Sequence, residues 1–270
     1  MKFNGDLVKL KSTINENGLV ILENFFKKKD VIFFKEKLWE IFDERKKKNK
    51  KVGNSGFIYL PNYFKECFEL TRFFSDKRLN EIIVSLLGFD YVLLHAQAIN
   101  VTNKFNSYFN QQQEVLRAGE WHIDTKSVNN VTLPPLTHLL VTFAIDDFKE
   151  DNGATHYVNG SNNFGYPPER NGKYKHDVML LKAGDVCILD GRTWHRGGAP
   201  SNQSRWGAFT LFGPWWCKPY YRYWDFYDEK KILEIKKNKI LERLFHFKSL
   251  TPDDENVTYT TLISSDPSKN

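Results

Sequence analysis

The first fifty residues contain one unbroken apolar stretch and one apolar pattern with helical spacing. An unbroken apolar stretch at 19–22 follows Gly18 and predicts a buried strand. Asp30 is predicted to cap a helix after it, and a lysine-rich run at 46–51 follows the end of that helix. The apolar residues that recur at helical spacing are Val31, Phe34, Leu38 and Ile41.

A second helix and a series of strands are predicted further along the chain. Apolar residues at 79–87 form a helical pattern that Gly88 stops, and the β-rich stretch at 91–100 predicts a long strand. Shorter strands are predicted at 120–124, 137–146, 154–158, 177–181, 186–190 and 205–212. Helical periodicity returns only at 230–244.

Clusters of Gly, Asn, Pro and Asp separate the predicted strands, and this spacing is typical of a β-sandwich or barrel. The fold class is therefore mainly β with flanking helices. We find neither an internal repeat nor a dividing linker, so residues 1–250 are predicted to form one domain with a helical N-terminal part. The polar stretch at 251–270 is predicted to be a loosely attached tail.

The composition of the chain bears on the size of its core and on its expected location in the cell. The chain has 270 residues, of which 41% are hydrophobic and 15% aromatic, enough for one sizeable core. No apolar run approaches the roughly 20 residues of a membrane span, and the first residues do not resemble a signal peptide. Cys67, Cys187 and Cys217 are too widely spaced to suggest a thiolate metal site. We therefore expect a cytoplasmic protein with reduced cysteines.

The charge balance is basic, with a formal net charge of +6. Lysines cluster at 27–29 and 46–48, around one predicted helix and its exit, and do not outline a groove. A solvated helix face is the simpler interpretation, and a nucleic-acid partner is not expected.

Candidate metal ligands lie in two separate places. His122 and Asp124 are two residues apart, and on a strand such residues point to the same face. His195 follows another predicted strand much further along. Two histidines and one carboxylate around one ion leave positions open, as in Fe(II) oxygenases. A lone His-x-Asp pair is common by chance, so unrelated polar residues are the alternative.

Two longer segments give the pattern its specificity. Residues 151–161 read Asp-Asn-Gly-Ala-Thr-His-Tyr-Val-Asn-Gly-Ser, and a Gly-Asp step at 184–185 precedes Asp190-Gly-Arg-Thr-Trp-His195. Both resemble segments of the phytanoyl-CoA dioxygenase family of Fe(II)/2-oxoglutarate oxygenases. The resemblance extends from about residue 18 to about residue 219.

This resemblance implies a double-stranded β-helix, or cupin-like jelly roll, with Fe(II), 2-oxoglutarate as cosubstrate and O2. It places His122, Asp124 and His195 as the metal ligands and catalytic centre. In the family an arginine about ten residues after the second histidine binds the far carboxylate of 2-oxoglutarate, which selects Arg205 over its neighbours. A guanidinium suits this position because it offers paired donors and stays charged when enclosed.

The chain also departs from the family at this carboxylate. Many relatives carry a hydroxyl residue two positions after the second histidine, whereas this chain has Gly197. Another side chain is then expected to help bind 2-oxoglutarate, and Thr210 and Asn100 are the candidates.

The expected reaction is hydroxylation, or a related desaturation or cyclisation, of a small organic substrate. Halogenation is not expected, because halide-transferring relatives replace the ligand carboxylate by a small residue, whereas Asp124 is present. Candidate pocket residues are His95, Gln97, His156 and Trp121, although Trp121 alternates away from His122 along the chain.

Two further segments have open interpretations. Residues 103–119 are predicted to form either a lid or a plain solvent loop, and the aromatic stretch at 213–224 either a cover for the core or a dimer contact. Two other functions stay open: a cupin-like metal-binding protein or isomerase without oxidative chemistry, and an oxygenase acting on nucleic acid or protein. Arg205 argues against the first of these, because its position has no purpose without a cosubstrate.

Overall fold

The architecture comes from a computed structural model that describes residues 5–50, 52–54, 57–102, 119–125, 134–199 and 203–247. The predicted tail at 251–270 lies outside these residues, and so does the predicted lid except for Gly119.

The chain begins with a helix that the apolar pattern did not predict. This helix, α1 (Leu7–Asn17), starts where an Asp6 carboxylate oxygen accepts a hydrogen bond from the Lys9 amide at 2.9 Å. It ends at Gly18, whose φ of 81° gives the left-handed turn that glycine adopts without strain. The predicted strand follows at once as β1 (Leu19–Leu22).

Helix α2 (Lys28–Lys47) buries its four predicted apolar positions, which confirms the predicted face. The prediction that Asp30 caps this helix is wrong. Lys27 is the N-cap and Asp30 lies in the first turn, where its negative charge still favours the positive end of the helix dipole.

The remaining helices flank the sheets. Helix α3 (Thr71–Phe74) precedes α4 (Lys77–Leu87), which is capped by Asp76 and stops at Gly88 as predicted. The single helix predicted at 230–244 is two helices, α5 (Glu229–Lys236) and α6 (Lys239–Leu244). They separate at Asn238, whose side chain accepts hydrogen bonds from the first amides of α6.

Strands form one large and one small sheet, each antiparallel throughout. The large sheet has the order β1-β8-β5-β10-β4-β3-β2. Its other members are β2 (Gly53–Asn54), β3 (Phe57–Pro61), β4 (Val92–Val101), β5 (Leu139–Ala144), β8 (Val186–Asp190) and β10 (Arg205–Gly213). The small sheet has the order β7-β6-β9 and consists of β7 (Asp177–Val178), β6 (His156–Tyr157) and β9 (His195–Arg196).

Both faces of the large sheet are buried, and this places the site. On β10, Trp206, Ala208 and Phe212 pack with the helices in the main core, whereas Leu211 belongs to a second apolar cluster on the opposite face. That second cluster includes Phe148, Met179 and other residues that do not come from the helices. The space on this second face contains the candidate site. Among the described residues, no helix is long and apolar enough to cross a membrane.

Candidate metal centre

Backbone pairing holds the two candidate ligand segments together. The His122 amide donates to the His195 carbonyl at 2.9 Å, and the His195 amide donates back to His122 at 3.0 Å. The prediction of a strand at 120–124 is wrong, because this pair is an isolated bridge. The amides of Asp124 and Thr125 both donate to one carbonyl, that of Gly191, so a strand ladder cannot continue past the bridge.

Three side chains from these segments converge on one point. His122, Asp124 and His195 each offer a ligand atom, and these atoms all lie within 4.8 Å of one another. The His195 Nε2 atom lies 3.5 Å from Asp124 Oδ2. Asp124 Oδ2 is buried and has no hydrogen-bond partner among the described residues. A carboxylate oxygen desolvated in this way needs a cation or a donor.

Each histidine is oriented by its own segment. The Nδ1 atom of His122 lies 2.9 Å from the Glu120 carbonyl, and that of His195 lies 2.9 Å from the Thr193 carbonyl. A carbonyl can only accept, so each Nδ1 carries the proton and each Nε2 keeps its lone pair for a ligand. Burial is the largest cause that lowers the pKa of His195, His122 lowers it further, and Asp124 opposes both. The neutral imidazole, which is the metal-binding form, is therefore favoured.

A cavity of about 360 Å³ adjoins these three residues. Its wall also includes Arg205, so the structure brings together the metal candidates and the predicted carboxylate-binding arginine. Seven further wall residues are apolar: Phe57, Ile99, Val101, Leu140, Met179, Leu189 and Phe209.

Arg205 is only 2% exposed, yet its guanidinium has no ion pair with any described residue. Nε donates to the Asn152 carbonyl at 3.1 Å and Nη2 to the Gly153 carbonyl at 2.7 Å, while Nη1 is buried without a partner. Burial lowers the pKa of Arg205 to about 9, against the opposing effect of Asp146. The group is therefore still charged at neutral pH, and it presents a free donor and an uncompensated charge to the cavity.

The Asn-Gly-Ala turn supplies both carbonyls that hold Arg205. The Asn152 side chain closes the turn by accepting from the Lys149 amide and donating to the Asp147 carbonyl, each at 2.8 Å. Gly153 has a φ of 76°, and a Cβ there would lie 2.6 Å from a methyl group of Val101. The role of these carbonyls was not predicted, although the turn motif itself was the signal for it.

Gly153→Ala is therefore expected to weaken the binding of the 2-oxoglutarate carboxylate more than it lowers the stability of the fold. The positive φ costs a non-glycine residue about 1–3 kcal/mol, and the clash with Val101 displaces a carbonyl that orients Arg205. We expect a loss of thermal stability of several degrees and a 2-oxoglutarate affinity lowered by about tenfold. Gly197→Ala is the matched control, since a Cβ at Gly197 meets nothing within 4 Å. Equal effects of the two substitutions on 2-oxoglutarate would contradict this assignment.

Thr210 and Asn100 do not reach this cavity, and the prediction that they bind the carboxylate is wrong. Arg205 pairs with Val101 across β10 and β4, whereas Asn100 pairs with Trp206 and Thr210 with Ala96. Side chains alternate along a strand, so both polar residues face the helical core on the far side of the sheet. Asn100 is bonded there to Ser204, with its side-chain nitrogen 2.8 Å from the hydroxyl.

Gly197 lines the cavity where the family hydroxyl is missing, and the structure has room for that hydroxyl. We expect Gly197→Ser to fold normally and to bind 2-oxoglutarate more tightly by about two- to tenfold, because a hydrogen bond to a charged group contributes about 1.5–3 kcal/mol before ordering costs. Isothermal titration of serine and alanine variants separates the hydroxyl from the added Cβ. An unchanged affinity in the serine variant would mean that the carboxylate binds elsewhere.

Two of the four predicted substrate residues line the cavity, namely His95 and Gln97. Trp121 and His156 are not part of its wall. Trp121 packs behind the ligand segment against Tyr174, and His156 stacks on His176 at 4.7 Å between ring centroids. Both therefore belong to an aromatic layer outside the site, as the alternation of Trp121 with His122 indicated.

Two histidines, one carboxylate and a buried arginine line one cavity, and the two nitrogens and one oxygen are the donor set that non-haem iron oxygenases use. The chain belongs to the phytanoyl-CoA dioxygenase family, whose sequence model matches residues 14–207. No curated protein matches the sequence.

Three solved structures of similar fold are distant in sequence. EctD from S. alaskensis with 2-oxoglutarate and 5-hydroxyectoine has a TM-score of 0.62 at 15% identity, covering 79% of each chain. HygX from Streptomyces hygroscopicus with nickel and 2-oxoglutarate has a TM-score of 0.61 at 13% identity, covering 82% of this chain and 91% of its own. The epimerase SnoN with Fe3+, alpha ketoglutarate and nogalamycin RO has a TM-score of 0.59 at 16% identity, covering 77% and 83%.

Proposed function

We propose that this protein is an Fe(II)- and 2-oxoglutarate-dependent dioxygenase that hydroxylates a small organic substrate. The proposal includes a jelly-roll fold and a single domain over residues 1–250. One observation carries it: a buried, unpaired Arg205 shares a cavity with three converging ligand atoms. A metal-binding protein without a carboxylate cosubstrate has no use for that arginine.

His122, Asp124 and His195 would hold the metal. Ligand atoms lie about 2.0–2.2 Å from a bound ion, and the 3.5 Å between His195 Nε2 and Asp124 Oδ2 is short enough for both atoms to bind the same ion. The otherwise unpartnered carboxylate oxygen and the two oriented imidazoles supply the donor set of two nitrogens and one oxygen that suits Fe(II).

Arg205 would bind the far carboxylate of 2-oxoglutarate through Nη1 and its charge. The two backbone carbonyls and the Phe148 ring, 3.8 Å from the guanidinium carbon, hold the group in place before the ligand arrives. Such preorganisation lowers the cost of ordering on binding. When bound, iron with 2-oxoglutarate and O2 supplies the oxidising chemistry, which yields succinate, CO2 and the oxidised substrate.

The rest of the cavity would position the substrate. Its apolar walls exclude water from the reacting groups. His95 and Gln97 are two residues apart on β4, so they face the cavity together and would orient a polar group of the substrate.

We propose hydroxylation in preference to halogenation because Asp124 retains the carboxylate that a halide would need to replace. Fold likeness supports only the general class, since the solved structures include an epimerase and a carbocyclase. Mass spectrometry of turnover products in the presence of bromide checks this choice. Incorporation of one oxygen atom is expected, and a brominated product would contradict it.

The decisive test adds Fe(II) and then 2-oxoglutarate to the apo-protein without oxygen. We expect a weak visible charge-transfer band after the second addition, and slow succinate formation once air is admitted. Metal binding without the band or succinate, in protein shown to be folded, would favour a cupin-like metal-binding protein instead. The same assay identifies substrates, because a true substrate accelerates succinate release.

A further inference from the structure

Residues 214–224, which we call the aromatic rim, leave the last strand of the large sheet and expose several rings. Trp215, Trp216 and Tyr220 are 46%, 65% and 48% exposed. Aromatic side chains of this size are normally buried. A cluster of exposed ones therefore indicates an interaction site.

The exposure does not come from a loose segment. The Tyr220 amide donates to the Leu94 carbonyl at 3.0 Å, and the Tyr223 hydroxyl donates to the same carbonyl at 2.9 Å. Tyr223 is fully buried, and Cys217 packs against the second apolar cluster. Part of the rim therefore covers the core, which agrees with one of the two interpretations left open by the sequence, and this part fixes the backbone that carries the exposed tryptophans.

The rim is continuous with the wall of the cavity. Tyr220 stacks on His95, with ring centroids 4.9 Å apart and planes 26° from parallel, and His95 lines the cavity. On the metal side, Cys217 Sγ lies 3.9 Å from His138 Nε2, and the His138 carbonyl accepts from Gly191. Gly191 in turn binds the Asp124 amide. The Tyr220 ring therefore lies directly against a residue of the cavity wall.

We propose that the aromatic rim binds the non-reacting part of the substrate, and that this part carries a rigid ring with C–H groups at its edge or face, either aromatic or saccharide. The proposal rests on the proposed function, because the cavity of about 360 Å³ then also holds 2-oxoglutarate. Drug-sized ligands fill sites of about 300–1,000 Å³. Only the reacting end of such a substrate fits inside, so its remainder extends over the rim.

The geometry of the two tryptophans favours a ring as the partner. Trp215 and Trp216 meet edge to face, with centroids 5.8 Å apart and planes at 87°. Each exposed face carries the negative side of the ring quadrupole, which attracts the C–H edges of another aromatic ring or the C–H face of a sugar. Stacking on such a ring is favourable for a ligand that presents its own ring face.

The few charged residues of the aromatic rim argue against binding to a lipid surface. Arg222 is paired with Asp225 at 2.9 Å, and Lys218 is the only other charged residue between 214 and 225. Anionic membranes are bound by clusters of basic residues, which this segment does not have.

The test measures binding directly. Protein labelled with 5-fluorotryptophan is loaded with diamagnetic Zn(II) and 2-oxoglutarate and titrated separately with indole, methyl β-glucoside and acyclic hexan-1-ol, and the 19F lines are assigned with single Trp→Phe variants. We expect a ring probe to shift the Trp215 and Trp216 lines and to leave buried Trp206 unchanged. A response to indole alone identifies an aromatic ring, and a response to the glucoside alone a saccharide.

Two substitutions provide a second test of the same proposal. Trp216→Ala should raise the Kd of the responding probe about tenfold. Leu233→Ala is matched in exposure, at 63% against 65%, and lies on α5 away from the cavity wall, so it should leave the Kd unchanged. Equal effects of the two variants would overturn the proposal.

Three other outcomes would also overturn it: hexan-1-ol shifting the lines as strongly as the rings, a response only to vesicles containing phosphatidylserine, or shifts that follow protein concentration and report self-association. Failure of the proposed function is separate, because it appears as absent succinate formation in the wild-type protein whatever the rim binds.

Discussion

Arg205→Leu is expected to weaken 2-oxoglutarate binding about 100-fold while leaving Fe(II) affinity within a factor of about three. Loss of one partner of a buried, charge-assisted pair typically costs about 2–5 kcal/mol, and the ligand carboxylate would be that partner. The metal candidates come from other segments and do not depend on the guanidinium. Anaerobic calorimetric titration with each ligand in turn measures the two affinities separately.

The same substitution has opposing effects on the stability of the free protein. It removes the cost of a buried charge, but it also leaves the Asn152 and Gly153 carbonyls without their donors and puts a shorter side chain in their place, so we expect the apo melting temperature to fall by a few degrees without unfolding. Arg205→Lys is the control, because it keeps the charge but loses the paired N–H donors of the guanidinium. We expect its affinity for 2-oxoglutarate to lie between those of the leucine variant and the wild type. Equal loss of metal and 2-oxoglutarate binding in the leucine variant would show instead that the fold had collapsed.

Much of the fold was predictable because apolar runs and periodicity record burial. The pattern identified β1, α4, β4, β8 and β10 with ends that agree within two residues, and it identified the buried face of α2, although that helix begins at Lys28, before the predicted cap. It missed α1, since only Leu10 and Ile14 are buried on that helix and two positions make no visible stripe. It overran the strands at 154–158 and 177–181, where β6 and β7 have two residues each, because apolar residues continue beyond the paired backbone.

Site residues that belong to a sequence motif could be predicted. The positions of side chains that depend on pairing between distant segments could be predicted less well. Convergence of His122 with His195 depends on backbone hydrogen bonds between distant segments, and the motifs identified both residues without revealing that pairing. The error at Thr210 was avoidable. Residues 205 and 210 are an odd number of positions apart on one strand, so they point to opposite faces. Arg205 facing the cavity already placed Thr210 in the helical core.

Asp124→Gly is expected to abolish substrate oxidation and to lower Fe(II) affinity by about 100-fold or more, with little loss of stability. The carboxylate is a candidate metal ligand whose Oδ2 atom makes no hydrogen bond with a described residue, so its removal leaves no donor unsatisfied. The segment is held by the amides of residues 122, 124 and 125, which the substitution retains. Glycine adds backbone freedom worth about 0.5–1 kcal/mol. Succinate release and thermal unfolding measure the two effects.

Glu120→Gly is the matched control, because it removes a carboxylate and adds a glycine in the same segment. Its side chain forms only an exposed ion pair, 3.5 Å from Arg170, and such pairs contribute little. We expect near wild-type turnover there, since the backbone carbonyl that orients His122 is retained. Wild-type turnover in Asp124→Gly would refute the metal assignment. Equal inactivation of both variants would instead trace the loss to segment flexibility, because only Asp124 contributes a donor to the converging set.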